Sequence, residues 1–333
     1  MDIFNLEKIL SGEPTFRLKQ AREAVFLNLI EDWDEAINLP PDLREKLNQE
    51  VPLKINAKVF ELKDGAQKAL ITLADGVKIE TVLMRHQNGR NTVCVSSQAG
   101  CALGCAFCAT GRVGFKRNLT LDEIVEQVLF WARILKKENK RVGNIVFMGM
   151  GESFLNYDNV LSAIKILNDE NGLNIGSRHI SLSTAGIVEG IKKLADEPLQ
   201  VNLALSLHAP NDALRQEIMP VAKKYKIAEI FEALEYYIKK TRRRVMLEYI
   251  MIKDLNDSPI CAEELVALIK KMKQPLVFVN LILYNETGVF KPSSAERVKA
   301  FKAVLEKEKI AVTQRWRFGG DSAAACGQLA PHL

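Results

Sequence analysis

The chain has 333 residues, 47% of them hydrophobic, with 46 basic and 41 acidic side chains and a formal net charge of +5. This excludes a disordered chain or a small scaffold that needs disulfide staples, and suits one domain of α/β-barrel size with a smaller appendage. The charge permits a polyanionic partner without demanding one.

Nowhere do about 18 apolar residues run uninterrupted, so no membrane span is expected. The opening MDIFNLEKILSGEP carries charges among its apolar positions and shows no small-residue cleavage site, which argues against a signal peptide. The expected location is the cytoplasm, where clustered cysteines serve metal or redox chemistry more often than structural disulfides.

In chain order, RLKQAREAVFLNLIEDW has apolar residues near helical spacing, and NLPPD turns the chain into LREKL, so a small helical appendage is expected over residues 1–52. Residues 57–84 alternate and break at Asp64-Gly65 and Asp75-Gly76, as hairpin strands do, giving a β-hairpin extension over 53–90. From NTVCVSS onward, apolar runs of strand length (GNIVFMG, RHISLST, QVNLALS, RRVMLEYI, LVFVNLI, IAVTQRW) alternate with helical stretches. About six strand-helix units and a closing strand imply parallel strands in an α/β fold, with a barrel or partial barrel over 91–316 and a tail over 317–333.

Four of the six cysteines fall within CVSSQAGCALGCAFC. Cys101, Cys105 and Cys108 make C-x3-C-x2-C just beyond the first barrel strand. Three thiolates leave one metal position open, which is where a substrate or cofactor binds. A zinc site completed by Cys94 or a histidine, or buried cysteines acting as small hydrophobes, would fit the spacing too.

C-x3-C-x2-C with Phe107 before the last cysteine resembles the radical S-adenosylmethionine (SAM) superfamily. The wider string CVSSQAGCALGCAFCATGRVGFKRNLTLDEIVEQV resembles the RlmN/Cfr family of RNA adenine methyltransferases, and FMGMGE, SLSTAG, ALSLHAPND, EYIM and AAACGQL continue the likeness over nearly the whole chain. The resemblance implies a radical SAM partial (βα)6 barrel with an N-terminal helical accessory domain that binds RNA and a mobile C-terminal tail. It implies that Cys101, Cys105 and Cys108 hold a [4Fe-4S] cluster whose fourth iron binds SAM. It also implies two SAM per turnover, one methylating Cys326 in the tail and one generating the radical that activates that methyl. Cys94 then forms a transient disulfide with Cys326. By the same matching, Gly151, Glu152, Ser183, Ser206, Leu207, His208 and Asn285 bind SAM, and Glu80 accepts the proton from adenine C2.

Each residue also has a plain alternative. Cys326 could be an ordinary tail thiol and Cys94 a core residue, while Cys261 matches no family motif and reads as a helix thiol. The Gly149-x-Gly151 turn lacks the third glycine of a dinucleotide fingerprint, and Ser or Asn at a strand end is commonly a cap. His208 could be a hydrogen-bonded structural residue. Glu80 in a strand reads as a solvated side chain.

Basic residues Arg17, Lys19 and Arg22, then Arg112, Lys116 and Arg117, then KKTRRR are candidate RNA contacts, and the set beside the cluster loop is favoured. The implied partners are 23S ribosomal RNA, in some members transfer RNA, and an electron donor such as flavodoxin or ferredoxin, with the chain a monomer. Two motifs depart from the family: Ser153 stands where proline is usual, and RFGGD resembles members that methylate C8. VNLALSLHAPND, EIMPV and LEYIM favour C2. A zinc-stabilised RNA-binding protein without chemistry is the rival from another class.

Overall fold

The structure is a computed structural model that describes residues 3–315 and 325–330. The RFGGD segment and most of the small residues before Cys326 lie outside the described residues.

Three short helices, Ile3–Leu10, Thr15–Phe26 and Pro41–Glu50, open the chain. The second ends earlier than its apolar pattern, which runs on to Trp33. Leu29 takes a left-handed φ of +49° and the Ile30 N–H returns to the Ala24 carbonyl, closing the last turn. Trp33 is instead fully buried, its indole N–H donating to the Val51 carbonyl at 2.8 Å.

Ala57–Glu61 (β1), Gln67–Thr72 (β2) and Lys78–Arg85 (β3) form an antiparallel meander. At its two turns Asp64 and Asp75 accept the N–H two residues on, the Asx-turn that the Asp-Gly pairs announce. Strand β3 pairs antiparallel with Asn91–Cys94 (β4). Gln98–Gly100 (β5) and Phe115–Asn118 (β6) make a separate two-stranded ribbon around the cysteine loop.

Asn144–Phe147 (β7), Ile180–Thr184 (β8), Asn202–Ser206 (β9), Val245–Met251 (β10), Val277–Leu283 (β11) and Val312–Gln314 (β12) then continue the main sheet. Its order is β1-β2-β3-β4-β7-β8-β9-β10-β11-β12, parallel from β4 onward. Each of the seven expected barrel strands is present, and among the described residues no ladder joins β12 back to β4, so the barrel is partial.

Helices return the chain between parallel strands because their apolar residues recur on one face. Leu121–Lys137 buries Leu121, Ile124, Val125, Val128, Leu129, Ala132 and Leu135, starts on a Thr120/Glu123 capping box and ends on Lys136 and Lys137. The amino-terminal helices share the barrel's apolar core, with Leu6, Val25, Trp33 and Leu47 in the same cluster as Val128 and Leu203. Arg133 adds a hydrogen bond of 2.9 Å to the Leu53 carbonyl. No described helix is long and apolar enough to cross a membrane.

Candidate active site

The cysteine loop is shaped by close backbone contacts. Gly100 has φ +80°, and a Cβ there would lie 1.8 Å from the Gly114 carbonyl oxygen, which accepts the Cys101 N–H at 3.0 Å. Only glycine fits that approach. Cys108 N–H closes a turn on the Cys105 carbonyl, and Ala106 N–H anchors the loop to the Ile218 carbonyl at 2.9 Å.

Cys101, Cys105 and Cys108 all line one cavity of about 150 Å³ at the carboxy ends of the parallel strands. Burial pushes the Cys101 thiol up to about 11, and it pushes Cys105 higher, with the charges of Cys108 and Cys101 adding to it. The three thiols are therefore mutual neighbours, and burial holds Cys101 and Cys105 as neutral thiols until positive charge is brought beside them. Among the described residues, no three His, Cys, Asp or Glu side chains converge on a single metal ion. A cubane places each thiolate on its own iron, so its cysteines need to face one space without meeting at one point. The donor set fits an iron-sulfur cluster.

The strand ends supply the rest of the wall. Gly151 has φ +99°, and a Cβ there would come within 2.5 Å of the Gln98 side chain. Glu152 beside it is buried, its carboxylate accepting from Ala185 N–H at 2.7 Å and Phe154 N–H at 3.1 Å. Burial raises its pKa against those two donors. Ser153, in the family's usual proline position, is buried and opens a short 3-10 turn.

Ser183 and Ser206 line the cavity with their hydroxyls 3.3 Å apart. His208 lines it too, in a left-handed conformation of φ +60°. Its Nδ1 accepts the Ile250 N–H at 3.2 Å, so the ring proton sits on Nε2, and the Phe107 ring meets it edge-on at 4.9 Å. Burial, followed by the Arg215 charge, lowers its pKa to about 3, leaving a neutral imidazole.

Cys326 shares this cavity with the cluster-loop cysteines. Its carbonyl accepts from Asn285 Nδ2 at 3.0 Å, the Gly327 carbonyl accepts from Ala109 N–H at 2.7 Å, and Gln328 Nε2 donates to the Glu286 carbonyl at 3.1 Å. Thr110 donates to the Leu329 carbonyl. These bonds seat residues 325–330 directly on the cysteine loop.

Four of the expected site residues do not line the cavity. Asn285 is buried beside it, with Oδ1 lacking a partner. Leu207 is fully buried and contributes backbone, its N–H reaching the Glu248 carbonyl. Cys94 is buried one layer away, pushed up to about 12 by burial and then by the Cys326 charge, while Arg315 pulls it down. Glu80 is no solvated strand residue: it is 2% exposed and paired with Lys68 Nζ at 2.9 Å. Val82 pairs with Cys94, and Glu80 lies two residues along, so both face the Cys94 side of the sheet.

Beyond the expected residues, the site draws in Glu248, Asn280, Thr313, Arg315 and Arg215. Ser206, Glu248, Asn280 and Thr313 sit in register across β9 to β12. Asn280 Nδ2 donates to Glu248 at 3.0 Å and Thr313 to Asn280 at 2.8 Å. Arg315, just past β12, lies 3.7 Å from Glu248 Oε1 and donates to the Met148 sulfur at 3.3 and 3.4 Å. Arg215 is fully buried, donating to the Leu207 and Ala185 carbonyls. Their places depend on strand register and helix docking, which a single Arg or Glu in the sequence does not reveal.

Residues 95–269 match the profile of the Radical SAM superfamily. The chain is 47% identical over 323 residues to a probable dual-specificity RNA methyltransferase RlmN of Lysinibacillus sphaericus, covering 96% of this chain and 84% of the relative. It is 46% identical over 333 residues to a protein of the same description from Dictyoglomus thermophilum, covering 98% and 94%. The crystal structure of a radical SAM methyltransferase from Sphaerobacter thermophilus superposes with a TM-score of 0.94 at 42% identity, covering 99% of this chain and 97% of that one. The profile match over residues 95–269 and identities of 46–47% over nearly the whole chain settle the family: this chain belongs to the radical SAM superfamily and, within it, to the RlmN family of RNA methyltransferases.

Proposed function

We propose that this enzyme methylates C2 of an adenine in 23S ribosomal RNA, with transfer RNA as a further substrate, using Cys326 as methyl carrier. The observation that carries the reading is Cys326 in one cavity with Cys101, Cys105 and Cys108, seated on their loop by the tail's backbone. Adenine C2 lies between two ring nitrogens and is electron-poor, so it does not attack a sulfonium methyl; a carbon radical adds to it. Cys101, Cys105 and Cys108 would hold a [4Fe-4S] cluster, which when bound would supply the electron for reductive cleavage of SAM.

The chain's own groups position and partition. Glu152 and Gly151 take the ammonium end of SAM, and Ser183, Ser206, Leu207, His208 and Asn285 hold the remainder. His208 serves as a fixed neutral donor through Nε2–H. Cys326 Sγ bears the methyl carbon as a thioether, one SAM providing that methyl and a second the radical. Glu80 accepts the C2 proton, and the Cys94 thiolate bonds to the Cys326 sulfur as the sulfur–carbon bond breaks; the carbon stays on the base and takes a proton, and the one surplus electron of the adduct returns to the electron carrier. Arg315 lowers both buried thiols, favouring the thiolate that attacks.

At about 150 Å³, the cavity is smaller than ordinary ligand pockets, which start near ~300 Å³. Cys326, Gly327 and Leu329 are part of its wall. Loading SAM and a flipped adenine therefore requires the tail to lift. The chain acts as a cytoplasmic monomer with flavodoxin or ferredoxin as electron donor.

The test is anaerobic reconstitution with SAM carrying labelled methyl hydrogens, followed by nucleoside analysis of the RNA. Labelled 2-methyladenosine is expected. Finding 8-methyladenosine without it would reassign the product, and a colourless protein that forms no deoxyadenosine would remove the radical chemistry.

A further inference from the structure

The basic side chains singled out in the sequence are mostly occupied by the protein itself. Arg117 is bidentate to Glu123 and bonded to Asp75 at 2.7 Å, Arg22 pairs with Asp169 at 3.0 Å, and Arg112 donates to the Thr287 carbonyl. A different group of cations is less committed. A groove of about 700 Å³ opens at the amino ends of the barrel strands, where Asn91 begins β4, Asn144 begins β7 and His179 precedes β8. Arg90, Lys136, Lys140 and Arg141 line it, and its described lining contains no Asp or Glu.

Arg141 is exposed and makes no side-chain hydrogen bond or ion pair among the described residues. Arg90 reaches only a ring nitrogen of His86 at 3.4 Å. Lys140 touches Glu138 at 2.9 Å, but that carboxylate is already held by two bonds of 2.7 Å from Arg85. Lys136 is the exception, tied to the Asn28 carbonyl. Asn88, Asn144 and Asn174 add neutral amide donors, and the lining contains no Phe, Tyr or Trp, His179 being its one ring. Several cations and amides around a single small ring suit phosphodiester backbone more than a run of stacked bases.

We infer that this groove is a second RNA contact, gripping the phosphate backbone of the substrate at the end of the barrel opposite the reacting adenine. The inference rests on the RNA methyltransferase reading and assigns a surface that reading does not need. An acidic electron-donor protein matches the charge as well, but it must come within electron-transfer reach of Cys101, Cys105 and Cys108, which line the cavity at the other strand ends. A folded RNA extends far beyond one flipped adenine and can occupy both ends. Contacts of this kind position the RNA without reading its sequence.

The test is the triple variant R90Q/K140Q/R141Q in the reconstituted holoenzyme, with binding to an unmodified 23S RNA fragment measured over a range of salt. Three lost phosphate contacts at about 0.7 each should make the slope of log K against log salt shallower by about 2. The dissociation constant at about 0.1 M salt should rise at least tenfold and KM with it, while kcat at saturating RNA and deoxyadenosine formation without RNA stay at parent values. An RNA slope and affinity equal to the parent's would overturn the inference. So would parent-like RNA binding together with slower reduction by flavodoxin, which would give the groove to a protein partner. Loss of methylation in the parent enzyme would instead overturn the functional reading, and the salt slope, which needs no turnover, separates the two.

Discussion

Asn285 Nδ2 donates to the Cys326 carbonyl at 3.0 Å, so the loop after β11 fixes the backbone of a residue that shares its cavity with Cys101, Cys105 and Cys108. The same side chain leaves Oδ1 buried without a hydrogen-bond partner among the described residues. Asn285→Ala removes one tail bond of about 1 kcal/mol, so the tail should open about fivefold more often. Limited proteolysis at residues near Cys326, without SAM, should speed up by that factor. An unchanged rate would show that the bonds from Ala109, Thr110 and Gln328 hold the tail alone.

The two kinds of cysteine should separate by colour. Cys105→Ser removes a donor from the loop and should lower iron content and the visible absorbance of the reconstituted protein. Cys326→Ala should keep both, and still form deoxyadenosine from SAM, yet transfer no methyl to RNA. Retained transfer in Cys326→Ala would take that residue out of the chemistry.

His208 predicts an acid sensitivity whose sign follows from its burial. Its folded pKa, about 3, lies below the usual 6.5, so between these values the unfolded chain binds the extra proton. Stability is therefore lost as pH falls below about 6.5, by up to about 1.4 kcal/mol per pH unit from this residue. The raised carboxylates Glu152 and Glu248 act in the opposite sense, so the comparison has to be made against a variant. His208→Asn keeps a residue type that tolerates the left-handed backbone. Urea unfolding between pH 6.5 and 5 should show a flatter dependence in the variant; parallel curves would mean that His208 takes up a proton in the folded state.

The barrel strands were legible because each is an apolar run bounded by turn residues, and the Asp64-Gly65 and Asp75-Gly76 turns because their chemistry is local. The cysteine loop was legible through the number and spacing of its thiols. The alternative of a solvated Glu80 fails because its partner Lys68 comes from the neighbouring strand, and only the β2-β3 register brings the two together. Glu248, Asn280 and Thr313 were invisible for the same reason: a polar residue inside an apolar run shows neither which face it takes nor what stands across from it. The helix continuing to Trp33 was an error of period, since local closure at Leu29 overrides an apolar pattern that persists beyond it.

That buried Lys68–Glu80 pair sets up the last prediction. Lys68 and Glu80 side chains are 8% and 2% exposed, their charges 2.9 Å apart, and Glu80 Oε2 lacks a hydrogen bond. Removing the cation alone, as in Lys68→Met, strands a carboxylate in the sheet and should cost about 3–5 kcal/mol. Removing both charges in K68M/E80M should restore most of it, because the desolvation cost disappears with the pair. A proton acceptor must have a free lone pair within reach of the base, and Oε2 is the Glu80 oxygen that no protein donor occupies. Glu80→Gln should then lower RNA methylation while leaving SAM cleavage intact. Full methylation by a stably folded Glu80→Gln enzyme, with Lys68→Met still destabilising, would leave Glu80 as the anchor of β3 and pass the proton to another base.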